Sequence, residues 1–481
     1  DITLTTGTND FTGAVTISSG NSVAITDANA VDFGASTISG TLDVIATGAV
    51  SDSGAISAGA TTVTNAGNTV ILDAANDFDS MNVTGSTVTI NDSDELDLAG
   101  VTATGAVTIT TSGALTQSGA IDADTTTSLT AGAGNDITLT NAGNDFTGAV
   151  SIGSGNNVAI TDANAVDFGA STVSGTLDVI ATGAVSDSGA ISAGATTVTN
   201  AGNTVIFDAA NDFASVNVTG STVTVNDSNA LDIAGLTATG AVTITTAGAI
   251  TQSGAIDADS TTNLTAGGAN NITLTDATND FTGAVSIVSG NNVAITDANA
   301  VDFGASTISG TFDVIAGGAV SDSGVLAVTG ITTADTDSDD DGTGDGNIVF
   351  DANNDFSTFV ADAGDQTVTV SDANAIVIGN TTAATFNVTS DSDNSDTTTD
   401  TITQVGSSTI TVSGTTTLNT GTDAVSVAAV TLGESGNDFG TVTVGNAGAV
   451  TLVDTSALAL GAITATSATV TTTGALTDTG N

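Results

Sequence analysis

The block Asn156 to Thr172, NNVAITDANAVDFGAST, returns without a change at Asn291 to Thr307, an offset of 135 in the numbering. The same offset carries Phe11 onto Phe146 and Phe281, Phe33 onto Phe168 and Phe303, and Ile2 onto Ile137 and Ile272. A chain that repeats itself at a fixed period builds the same local structure each time and buries its apolar surface by stacking one copy on the next. Repetition therefore constrains this fold more than any local propensity does.

A shorter period lies inside the long one. Asn-Asp-Phe ends at Phe11, Phe78, Phe146, Phe213, Phe281, Phe356 and Phe439, with spacings of 67, 68, 67, 68, 75 and 83. A second marker, Val-Asp-Phe at Phe33, Phe168 and Phe303 or a Leu or Ile equivalent at Leu98, Ile378 and Leu460, stands 20 to 22 further along the numbering. Three such steps per short period give about 22.5 residues per step and about 21 coils in the whole chain.

Segments such as Ala14-Val15-Thr16-Ile17, Ser22-Val23-Ala24-Ile25 and Thr87-Val88-Thr89-Ile90 are β-branched, alternate with period two and are bounded by Gly, Asn, Asp and Ser. Thr, Val, Gly, Asn and Asp are poor helix formers, and no apolar stripe of period 3.6 appears. The expected fold is all-β: a right-handed parallel β-helix of about 21 coils, about 22 to 23 residues each, running as one continuous solenoid over residues 1–481. Its superrepeats are 1–135, 136–270, 271–405 and a partial 406–481, with acidic insertions near 335–347 and 390–400. Stacked at about 4.8 Å per strand, such coils make a rod on the order of 100 Å long. The absence of proline suits it, because a solenoid strand needs every backbone donor. The 57 glycines are expected to supply left-handed or tight corners.

The chain has no Lys, Arg, His, Cys, Pro, Trp or Tyr, and its 53 acidic residues, 51 of them Asp, give a formal charge of -53. Without imidazole, thiolate, ammonium or guanidinium side chains there is no Ser-His-Asp triad, catalytic cysteine, Schiff-base lysine, His/Cys zinc site or arginine phosphate clamp. Nucleic acid is excluded, because nothing neutralises its phosphates. No run approaches the apolar length of a membrane span, so membrane insertion is not expected. The start, Asp1-Ile2-Thr3-Leu4-Thr5, has neither a basic nor an apolar leader region and reads as mature interior sequence.

Phe11 and Phe33, one marker step apart, are expected to stack ring over ring in a core column, as are Phe146 with Phe168 and Phe281 with Phe303. The Asn residues before the Asp-Phe pairs read as structural corners. The aspartates read mostly as a solvated face that keeps chains soluble and apart. Asp10 and its equivalents, three coils or roughly 14 Å apart, exceed a Debye length of about 8 Å, and Asp, Asn and Ser alternate along the rows. Thr-x-Thr pairs such as Thr62/Thr64, Thr87/Thr89 and Thr108/Thr110 do not fall on every coil, and ordinary strand propensity accounts for them.

One segment departs from this regularity. Asp335 to Asn347, DTDSDDDGTGDGN, accounts for the lengthening of the spacing to 75. Asp337, Asp339 and Asp341, followed by Gly342, match the opening of a calcium loop, with Asp335 and Asp345 as further oxygen donors. Ile348 stands where an EF-hand has Glu, so the motif is a looser calcium site or a solvated acidic insertion. Asp391, Asp393 and Asp396 form a weaker candidate of the same kind.

Runs such as Ile137-Thr-Leu-Thr-Asn-Ala-Gly-Asn-Asp-Phe-Thr-Gly-Ala-Val-Ser-Ile152, Val158-Ala-Ile-Thr-Asp-Ala-Asn-Ala165 and Gly240-Ala-Val-Thr-Ile-Thr-Thr-Ala-Gly-Ala-Ile-Thr-Gln-Ser-Gly254 resemble the repeat regions of filamentous-haemagglutinin-like exoproteins of Gram-negative bacteria. The resemblance implies a right-handed β-helical surface fibre used in adhesion or biofilm formation and exported through an outer-membrane partner. The expected function is accordingly a non-enzymatic, extracellular structural fibre at the bacterial cell surface, an adhesin stalk or the building block of a filament or sheath. Its expected partners are further copies end to end, neighbouring repeats of a longer chain, and cell-surface or matrix glycans. The alternatives are a calcium-responsive or ice-binding module and, on carboxylates alone, a polysaccharide-degrading β-helix enzyme.

Overall fold

Alternation decides the local structure. In Val23–Asp27, Val88–Asp92 and Val158–Asp162 the first, third and fifth residues are buried and the intervening ones half-buried, as a strand with one face on a core must be. The computed structural model describes residues 1–338, 341–393, 400–421 and 428–480. It is an all-β parallel solenoid of about 23 turns, with no helix among the described residues. The chain forms two compact units, Asp1–Ser228 and Asn229–Asn481.

In the first unit the ladder runs upward from Val31 through Val50, Val70, Val88, Val107, Thr127 and Val150 to Phe168. These seven steps end in the strand Val166–Phe168, whose first residue is the copy of Val31 one long period later. The long period is thus seven coils. A second ladder climbs from Leu96 through Leu115, Ile137, Val158, Leu177 and Thr196 to Val216 in six steps, or about 20 residues per coil. The coils are slightly shorter than the marker spacing suggests, and the expected count of about 21 roughly matches the observed 23.

Seven coils per long period make the short period three and a half coils, so successive Asn-Asp-Phe copies occupy opposite sides of the stack. Phe78 lies above Ala58, whereas Phe146 tops a different column, through Ala123 and Ala103 to Gly85. Gly85 belongs to the same strand as Phe78, Val70–Gly85, farther along the coil.

This register corrects the expected aromatic stack. Phe168 sits over Val150 and under Asp187, and Phe33 is bridged to Val15 and lies under Asp52; neither lies over the preceding Asn-Asp-Phe ring. Ring contacts arise elsewhere. Phe207 and Phe213 meet at 5.4 Å in the first unit. In the second, Phe303 and Phe312 make an edge contact at 4.9 Å, and Phe350, Phe356 and Phe359 cluster. Phe is a core residue as expected, with Phe33, Phe78, Phe146, Phe168 and Phe213 all buried, but Phe11 is half-buried.

In the second unit the ladder runs from Leu231 through Ile250, Ile272, Val293, Phe312, Thr332, Phe359 and Ile378 to Gln404. Two of its steps are longer than the rest, the one from Thr332 to Phe359 and the one from Ile378 to Gln404. They contain the two acidic insertions. A third long step, from Ile402 to Val430, does not show as a separate insertion in the marker spacing.

Few glycines are left-handed. Among the described residues seven have positive φ, including Gly67 and Gly202 in the matching Asn-Ala-Gly-Asn turns. Others are required by stacking: a Cβ on Gly119 would stand 1.9 Å from the carbonyl oxygen of Ala99 in the coil beneath, so any side chain there would force the coils apart.

Candidate functional site

The most regular polar feature is the corner around each Asn-Asp-Phe. Asn76, Asn144, Asn211, Asn279, Asn354 and Asn437 are fully buried, and each side-chain oxygen accepts a backbone N–H from the coil beneath. The donors are Ile56, Ile121, Ile191, Ile256, Leu326 and Ile410, at 2.8 to 3.0 Å. The amide nitrogens alternate between two partners. Asn76, Asn211 and Asn354 donate to the carboxylates of Asp52, Asp187 and Asp322 at 2.6 to 2.7 Å. Asn144, Asn279 and Asn437 instead form reciprocal amide pairs with Gln117, Gln252 and Gln404. The alternation follows from the half-coil offset, since successive copies close on opposite corners.

The Phe N–H of every copy is held by an aspartate from the next coil. Phe11, Phe78, Phe146, Phe213, Phe281, Phe356 and Phe439 donate to Asp27, Asp92, Asp162, Asp227, Asp297, Asp372 and Asp454 at 2.6 to 2.8 Å. All seven carboxylates are buried, none more than 2% exposed. In six of them a carboxylate oxygen also accepts the N–H two residues on, an Asx turn that starts the next corner. Burial pushes Asp92 up to about 6 and Asp372 up to about 7, against the pull of those N–H bonds, and raises Asp162 and Asp297 in the same way.

These aspartates are a buried minority within acidic residues that otherwise mostly face outward, as expected. The missed signal is the alternation itself: in Val23-Ala24-Ile25-Thr26-Asp27 the pattern that sends Val23 and Ile25 inward sends Asp27 inward too. The expected dilution of charge does hold on the outer rows. Asp32, Asp167 and Asp302 each accept two Ser hydroxyls from the next coil, Ser51 and Ser53, Ser186 and Ser188, Ser321 and Ser323.

The outward Thr residues also depart locally from the expected irregularity. Thr367, Thr385, Thr415 and Thr441 fill one outward column over four consecutive coils, beside Thr369, Asn387, Thr417 and Thr443. Elsewhere the row breaks, as in Ala24, Asp43, Thr62 and Asn82.

The first insertion folds against the coil above it. Asp335, at the end of Leu326–Asp335, pairs in register with Asp362 and accepts the Asp337 N–H at 2.9 Å. Asp337 is only 4% exposed, and its Oδ2 accepts the N–H of Gly342, which adopts φ 82°. Asp341 and Asp345 are not buried; Asp341 accepts the Thr343 N–H, and the Asp345 N–H is held by the Thr336 carbonyl. Asp339 lies outside the described residues. In the second insertion Asp391 is buried and Asp393 exposed, while Asp396 lies outside the described residues. Among the described residues no three acidic side chains are gathered into a metal-binding group, and no helix is long and apolar enough to cross a membrane.

A family model described as "Repeats of unknown function (DUF5649)" matches residues 20–84, 85–153, 155–219, 220–288, 290–363, 365–446 and 447–481. The chain belongs to this family. Each full DUF5649 match spans about one Asn-Asp-Phe period, so the family unit is three and a half coils rather than a whole number of them. No curated protein and no solved structure gives a significant match.

Proposed function

We propose that this DUF5649 chain is a non-enzymatic structural segment of an extracellular fibre on the bacterial surface, the stalk of an adhesin or a building block of a surface filament. The observation that carries this reading is the repetition of the corner clamp: the same Asn, Phe and buried Asp close each half-period, and the polar chemistry of the interior is spent on joining one coil to the next. A catalytic centre needs a place that differs from its copies. One groove, lined among others by Ile17, Ala35, Ala55, Asp77 and Ser93, offers one carboxylate where glycoside hydrolysis uses a pair, and in another, which presents Asp10 and Asp32, the second is taken up by the Ser51 and Ser53 hydroxyls of the repeat. The acidic, cation-free exterior suits fibres that must stay apart from one another.

Immunogold labelling of intact, unpermeabilised cells that produce the chain tests the proposal. Label on extended surface material is the expected result; label found only after permeabilisation would overturn it.

A second reading is favoured by the four-coil Thr column at Thr367, Thr385, Thr415 and Thr441. A run of uncharged outward threonines, each with a hydroxyl and a methyl group, suits the ordering of water or binding of ice. A thermal-hysteresis measurement on the purified chain decides it, and freezing without hysteresis excludes it.

A further inference from the structure

Removing a carboxylate from water without a hydrogen bond or a counter-charge is costly. The aspartates of the repeats avoid that cost through backbone N–H donors, as at Asp92, which takes both Phe78 and Asp94. In the two acidic insertions some buried carboxylate oxygens go without such donors. Asp337 spends Oδ2 on Gly342, but its Oδ1 is buried with no partner among the described residues. Asp391 is 1% exposed, and neither of its carboxylate oxygens has a partner among them; the hydroxyl of Ser392 beside it is also buried and unsatisfied. Asp391 moreover holds φ 53°, a left-handed conformation uncommon for a residue other than glycine. The chain carries no Lys, Arg or His that could approach either carboxylate.

We infer that each acidic insertion binds one hard divalent cation of the calcium class, seated on Asp337 in the first and on Asp391 with Ser392 in the second. In the first site the charged neighbours of Asp337 are Asp341, from the same loop, and Asp362, from the next coil. The Thr336 N–H on the Asp362 carbonyl at 2.8 Å holds this corner to the strand Ile348–Asp362, so a cation on Asp337 lies beside that strand. Asp362 is not part of the D-x-D-x-D pattern; it comes to the site only because the ladder pairs it with Asp335. In the second site the loop is anchored by the Ser392 N–H on the Asp372 carbonyl at 2.9 Å. Calcium takes six to eight oxygens in flexible geometry, and water and backbone carbonyls complete both sets. The inference is independent of the fibre reading, since a cation would bind these corners whatever surface the chain serves.

Isothermal titration of the full chain with calcium chloride, in excess potassium chloride to screen the outer rows, tests it. Two saturable sites per chain are expected. Asp337→Asn and Asp391→Asn should each leave one site and the double variant none, while Asp97→Asn, on an exposed row bonded to Ser118, should leave both. Unchanged stoichiometry in the double variant, or no saturable binding in the wild type, would overturn the inference. Should either variant lose its β-sheet circular dichroism, manganese added to wild-type chain labelled with 15N-phenylalanine gives the answer. Selective broadening of the Phe356 amide, which is bonded to the Asp372 whose carbonyl holds Ser392, and of the Phe359 amide, on the strand that ends at Asp362, supports the sites, and uniform broadening of all phenylalanines refutes them.

Discussion

Asp92 and Asp391 are both buried to 1% exposure in a chain without side-chain cations, yet their surroundings differ. Asp92 belongs to the repeat, and two backbone N–H groups, from Phe78 and Asp94, meet its carboxylate. Asp391 belongs to an insertion and meets none among the described residues. A stack of parallel coils brings orphan N–H groups to its corners at regular intervals, and an aspartate placed one coil on satisfies them. An insertion interrupts that supply. Burial alone therefore says little about what an acidic residue does here; the number of donors that the adjoining coil presents to it decides.

The largest effect is expected where a clamp is broken in the regular region. Asn211→Leu removes the acceptor of the Ile191 N–H and the donor to Asp187 at once, at about 1–3 kcal/mol for each buried group left unpaired. Hydrogen exchange should show local opening around Ile191 and Asp187 facilitated by more than about tenfold, with distant coils unchanged. Global loss of structure would mean that the coils do not open independently.

The next effect is of pH. Because the folded carboxyl of Asp92 titrates at about 6, above an ordinary aspartate near about 3.9, the native state holds a proton that the unfolded chain has released. Its contribution to stability is fully present below about pH 4 and is lost as pH rises through about 6. The thermal midpoint at constant ionic strength should accordingly be higher at pH 5 than at pH 8, and Asp92→Asn should flatten part of that slope. A midpoint that rises with pH would contradict the burial of these groups.

Exchanging the regions sharpens the contrast further. Replacing Asp337–Asp345 with Ala-Gly, which fills the matching corner as Ala66–Gly67 and Ala201–Gly202, should leave the β-sheet signal and melting temperature in chelator nearly unchanged while removing one calcium site. Retention of both sites would place the cation elsewhere. The smallest effect belongs to the outer rows: Asp97→Asn should change stability by no more than about 0.5 kcal/mol, as read by the shift in melting temperature.

Much of this is legible in the residues. Alternating Val, Ile and Thr bounded by Gly, Asn and Asp reveal parallel coils, and the Phe markers reveal the long period. The coil length escapes the markers because Phe11 and Phe33 do not delimit one rung: Phe33 is bridged to Val15, and the ladder steps vary in length. Asp27 is within reach of the alternation rule, but its charge argues the other way. The difference between Asp92 and Asp391 is beyond reach, because it depends on which N–H groups another coil delivers, and sequence spacing does not carry that information. Asp337 is singled out by its motif, whereas Asp362 enters only through the ladder.

The chain has 15 phenylalanines, so a 15N-phenylalanine-labelled sample yields a spectrum simple enough to follow each Asn-Asp-Phe amide during a pH titration. The account predicts that the Phe78 amide exchanges slowly and shifts with a midpoint near about 6 as Asp92, its acceptor, takes up a proton. Rapid exchange, or a midpoint at the ordinary aspartate value, would show that this carboxylate faces water and that the corner clamps do not hold the coils together.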